Sequence, residues 1–132
     1  MLRALVLEDD ACSALALSTL LRQAGLEVTT VSDTDEALRE VARLAPDILL
    51  ADWGVLGEVS SLEVARQVRK LRPEARLVFI SGFSKRDIER EVAGLNPCTV
   101  YDKPVNFDEL LSELESSSGG RLSQEPSTAA RT

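Results

Sequence analysis

The chain has 132 residues, 44% of them hydrophobic, with 22 acids against 15 bases and no histidine. That length suits one domain able to bury a core without disulfide or metal staples, and its apolar runs fall well short of the roughly 20 residues a membrane span needs. A net charge of −7 disfavours attraction to nucleic acid or anionic lipid, and any histidine chemistry must be supplied by a partner. From the N-terminus, the run LRALVL (2–7) reads as a buried strand that delivers Glu8, Asp9 and Asp10 to its end. It lacks the long apolar segment and small-residue cleavage site of a signal peptide, which points to the cytoplasm.

Asp10 is placed to cap a helix over 11–24, where Leu15, Leu17, Leu20 and Leu21 recur at helical spacing and Gly25 makes the stop. LEVTTV (26–31) is rich in β-branched residues, and Ser32 with Asp35 three residues later resembles a capping box opening a second helix that Pro46 closes. DILLAD (47–52) is the third strand, SLEVARQVRKL (61–71) a helix and ARLVFIS (75–81) the fourth strand. Ser84 is placed to cap a helix near 85–94, CTVYD (98–102) is a short fifth strand, and Asn106 caps FDELLSELE. Cys12 and Cys98 lie far apart without metal-ligand spacing and read as small buried residues. One domain over 1–115 is expected, with a flexible polar tail or linker stub at 116–132 that has only one aliphatic residue larger than alanine.

Nearly continuous apolar strands alternating with helices argue a parallel sheet covered on both faces, a doubly wound α/β fold of five strands and five helices. In such sheets functional groups gather at the carboxyl ends of the strands. Those ends are Glu8-Asp9-Asp10, Asp52, Ser81-Gly82 and Asp102-Lys103-Pro104. An acid run standing alone would be a solvated turn and a helix cap, but a second acid and a lysine at neighbouring strand ends make a site the better reading. Carboxylates brought together raise one another's pKa unless a cation sits among them, and oxygen donors without Cys or His favour magnesium or calcium. Asp52, alone at its strand end, is the candidate nucleophile toward a phosphoryl group, with Lys103 to balance incoming charge.

The ordered set Glu8-Asp9, Asp52, Ser81 and Lys103-Pro104 resembles the receiver domain of two-component response regulators over about residues 1–115. The resemblance implies a flavodoxin-like sheet in the order 2-1-3-4-5, of which a chemotaxis receiver is a known example. It implies that Asp52 accepts a phosphoryl group from a histidine kinase or histidine phosphotransfer protein. Glu8, Asp9, Asp52 and the backbone carbonyl of Gly54 would hold Mg2+. Ser81 and Lys103 would contact the phosphoryl group, and Lys103-Pro104 would be a cis peptide. A phosphorelay signalling domain follows, not an enzyme beyond weak self-dephosphorylation, either stand-alone or detached from a longer protein and acting through a downstream protein partner. The alternative is a pseudo-receiver, an interaction module independent of phosphorylation. Two departures motivate it. The loop DWGVLGEVSS carries Leu56 where the family commonly has proline, lacks the usual Asp-Gly pair and is one residue longer. Val100 stands three residues before the lysine, where the family's switch aromatic lies, so Tyr101 should face the opposite side of the sheet, leaving Phe83 as a possible substitute.

Overall fold

The computed structural model describes residues 2–54, 57, 60–82, 85–95 and 97–117. Five strands, β1 (Arg3–Leu7), β2 (Glu27–Val31), β3 (Ile48–Asp52), β4 (Arg76–Ser81) and β5 (Cys98–Asp102), pair in parallel in the order β2-β1-β3-β4-β5. Between and after them run α1 (Ala11–Gln23), α2 (Thr34–Leu44), α3 (Ser61–Leu71), α4 (Lys85–Glu91) and α5 (Phe107–Ser117).

Side-chain alternation along the strands divides the core in two. Leu5, Leu7, Leu49, Ala51, Leu77, Phe79 and Val100 face α2, α3 and α4, where they meet Val41, Val64, Val68 and Ile88. Ala4, Val6, Leu50, Val78 and Ile80 face α1 and α5, against Leu17, Leu21, Leu110 and Leu114. Each fully buried Leu or Phe contributes about 1.5–3 kcal/mol, so both layers fix the sheet.

The caps explain where the helices start. Asp10 accepts the Ser13 N–H at 2.8 Å and Asn106 accepts the Glu109 N–H at 3.0 Å, as expected. The capping box of α2 sits one residue further on than expected: Asp33 accepts the Glu36 N–H, while Glu36 reaches back to the Ser32 N–H. Glu36 has the longer side chain and can close that second bond, which Asp35 cannot. α2 stops not at Pro46 itself but at Ala45, held in the left-handed region at φ 46°. Gly25, at φ 95°, ends α1 as expected.

The helix expected over 85–94 divides into α4 and a 3₁₀ turn at Ala93–Leu95. Gly94 is a poor helix former, and the Arg69 guanidinium holds the carbonyls of Leu95 and Pro97 at 2.8 and 2.9 Å, drawing the chain toward β5. Ser84, its expected cap, lies outside the described residues, as do Leu56 and Phe83. Cys12 is exposed on the first turn of α1 and Cys98 is half-buried, so the expectation that both are buried is corrected. α5 runs to Ser117, and the rest of the expected tail lies outside the described residues.

Candidate functional site

Hydrogen bonds continuing the sheet past the strand ends set the site. The Glu8 N–H donates to Val31 O at 3.0 Å, the Trp53 N–H to Ile80 O at 2.9 Å and the Lys103 N–H to Ser81 O at 2.9 Å. These bonds keep Glu8, Asp52 and Lys103 in register at one edge. The Lys103-Pro104 peptide is cis.

At that edge carboxylate oxygens of Glu8, Asp9 and Asp52 lie within 4.8 Å of one another. Glu8 and Asp52 are buried, at 5% and 7% exposure, whereas Asp9 is exposed. Asp52 is gripped on both oxygens: Oδ2 accepts Lys103 Nζ at 2.9 Å and Oδ1 accepts the Gly54 N–H at 3.1 Å. Ser81 is buried at the end of β4, one residue beyond Ile80, the cross-strand partner of Asp52. Asp10 stands apart as the helix cap, its carboxyl lowered by the Ser13 backbone bond.

Burial pushes Glu8 up to about 7, opposed by the Asp10 N–H on Oε2 at 3.1 Å and reinforced by the charge of Asp52 and a hydrogen bond with it. Lys103 is raised by its bond to Asp52, against the effect of burial, and the charges of Glu8 and Asp9 add to the shift. The pocket therefore strains against its own negative charge. An oxygen-only donor set with two buried acids, one reluctant to ionise, fits a hard divalent cation.

Of the residues expected from sequence, the structure brings Glu8, Asp9, Asp52 and Lys103 together and adds Gly54 through its N–H. Sequence reasoning missed Ser61. It is buried at the first position of α3 and its hydroxyl donates to the Asp52 carbonyl at 3.1 Å, closing the neck of the loop. The signal was the Ser60-Ser61 doublet: Ser60 is the exposed cap, accepting the Glu63 N–H at 3.2 Å, and leaves Ser61 free to turn inward. Trp53 was also given no part; its ring meets Phe79 edge-on at 5.4 Å. Tyr101 packs on the α5 side of the sheet and Val100 on the α4 side, as the shifted register predicted.

Acids from two central strands facing a lysine at the carboxyl edge of a doubly wound sheet define a flavodoxin-like α/β domain with an acidic cluster at its switch point that could hold a metal ion. The family model of the response regulator receiver domain matches residues 4–115. The response regulator protein TodT of Pseudomonas putida is 34% identical over 83% of this chain and 48% of its own length. The receiver protein CpdR of Brucella abortus is 28% identical over 87% and 95%. Among solved structures, the response regulator TrrA of Thermotoga maritima, in complex with Mg(2+)-BeF, aligns with a TM-score of 0.75 at 26% identity, over 89% of this chain and 99% of TrrA.

The chain belongs to the receiver domains of response regulators, which are signalling domains and not classical enzymes. It spans about half the length of TodT.

Proposed function

We propose that Asp52 is the phosphoacceptor of a two-component phosphorelay. The observation that carries this reading is the Lys103–Asp52 pair at 2.9 Å beside the three-carboxylate cluster. The phosphohistidine comes from a histidine kinase or phosphotransfer protein, because this chain has no histidine. An Asp52 oxygen attacks the phosphorus in line; the O–P bond forms as the P–N bond breaks, and the imidazole leaves with the electron pair.

The Gly54 N–H orients the carboxylate for that attack. Lys103 is positioned to pass from the carboxylate to a phosphoryl oxygen, and Ser81 is assigned a second phosphoryl contact at the neighbouring strand end. Glu8, Asp9, Asp52 and the Gly54 carbonyl would hold Mg2+, which when bound neutralises the charge gathered where a phosphoryl group meets three acids. The Mg(2+)-BeF complex of TrrA supports this assignment.

The receiver unit is taken as residues 1–115, with output through a protein partner. Among the described residues no helix is long and apolar enough to cross a membrane, in keeping with a cytoplasmic placement beside the kinase. Acetyl phosphate with Mg2+ should label the wild-type chain, and Asp52→Asn should abolish the label. Labelling that survives Asp52→Asn overturns the assignment, and an unlabelled wild type points to the phosphorylation-independent module.

A further inference from the structure

The β3–α3 connection is tied at its neck by Ser61 on the Asp52 carbonyl, and Gly57 rests on a second element. Gly57 stands against Thr34, the first residue of α2. A Cβ at Gly57 would overlap the Thr34 hydroxyl and stand 3.0 Å from both Thr34 Cβ and its backbone nitrogen. The Gly57 φ of +156° is one that L side chains rarely adopt.

Thr34 is completely buried, and among the described residues its hydroxyl has no hydrogen-bond partner. A buried hydroxyl left unpaired is unfavourable for folding, so packing must hold it there. The turn that carries Thr34 also touches the acid site. Val31, three residues earlier, takes the Glu8 N–H, and the Asp33 cap and the Glu36 side chain close the turn with two hydrogen bonds. Glu8 on one side and the connection carrying Gly54 on the other are thus both referenced to residues 31–36.

We propose that Thr34 is a positioning residue for the metal site: it seats Gly57 and thereby fixes Gly54, whose N–H orients Asp52 and whose carbonyl is assigned to Mg2+. The inference rests on the phosphoacceptor reading above. Residues that orient metal ligands without touching the metal typically change affinity by about 10–100-fold when altered.

The test uses the full chain and the fluorescence of Trp53, its single tryptophan and the neighbour of Asp52. Mg2+ is titrated, and thermal unfolding without metal is followed in parallel. Gly57→Ala should weaken Mg2+ binding about tenfold, while labelling by acetyl phosphate at saturating Mg2+ stays within about threefold of wild type. Adding Thr34→Ala, which removes the hydroxyl that the new Cβ strikes, should recover part of the affinity. Unchanged affinity in a folded Gly57→Ala protein overturns the proposal, as does a loss that Thr34→Ala fails to relieve. If Gly57→Ala does not fold, Thr34→Ala alone decides: Mg2+ binding weakened about threefold without loss of thermal stability supports the seat, and unchanged binding rejects it. A wild type that binds Mg2+ but takes no label would count against the phosphoacceptor reading and leave the seat to be judged on affinity alone.

Discussion

Glu8 and Glu113 are both glutamates pressed against the sheet, yet their surroundings are opposite. Glu113, on α5, accepts hydrogen bonds from the Arg76 guanidinium, the Thr99 hydroxyl at 2.6 Å and the Tyr101 hydroxyl. The chain itself meets its charge, with donors from β4 and β5. Glu8 takes the Asp10 N–H, lies beside a second acid, and is held up to about 7; Lys103, whose charge opposes that shift, is bonded to Asp52. A buried acid with its own donors fastens structure, whereas one short of them stores unfavourable charge that a ligand can relieve. On this contrast the β5–α5 edge is a clamp, and the acid pocket has the character of the proposed site.

Removing the clamp should give the largest effect. Glu113→Ala leaves the half-buried Arg76 without its counter-charge and should cost about 3 kcal/mol in urea unfolding, with Mg2+ affinity unchanged. A loss below about 1 kcal/mol would put Glu113 among ordinary surface pairs and dissolve the contrast.

The converse change should stabilise. Glu8→Gln removes a buried charge and should raise the stability of the metal-free chain by about 1–2 kcal/mol at pH 8, while abolishing the gain that Mg2+ gives the wild type. If Glu8→Gln instead destabilises, the acid is compensated and the pocket is structural.

Titration reads the same difference. Folded Glu8 keeps its proton to about 7, whereas the ordinary value is 4.5, so between these values the folded state binds more protons than the unfolded. Stability of the metal-free protein should therefore fall as pH rises from about 5 to 7.5, where groups held low, such as Asp10 and Glu63, are already ionised in both states. Saturating Mg2+, or Glu8→Gln, should flatten that slope in thermal unfolding; a slope that persists in Glu8→Gln belongs to another group.

These two regions were not equally legible in the sequence. The strand ends were, because a doubly wound sheet forces acids and lysines that follow apolar runs to one edge, whatever lies between. Local periodicity also placed the β5 faces, which is why Tyr101 was expected opposite Val100. The clamp was not legible, since Arg76, Thr99, Tyr101 and Glu113 meet only after β4, β5 and α5 are docked. Ser61 and Thr34 escaped for a related reason. A hydroxyl at the start of a helix reads as a cap, and only packing decides that Ser60 and Asp33 cap while Ser61 and Thr34 turn inward.

The smallest effect should come from Tyr101→Phe. Burial and the bond to Glu113 both raise the phenol pKa, so the hydroxyl remains a donor at neutral pH; its loss still leaves Glu113 the Arg76 and Thr99 donors and should cost under about 1 kcal/mol. The informative readout is elsewhere. The ring packs on the α5 face, whereas Trp53 and Phe79 belong to the cluster on the α2–α4 face together with Val100. A beryllofluoride and Mg2+ complex formed at Asp52 should therefore alter Trp53 emission equally in wild type and Tyr101→Phe. A changed response in the variant would mean that the clamp communicates with the pocket through the sheet, and that Tyr101 carries a switching role from the opposite face.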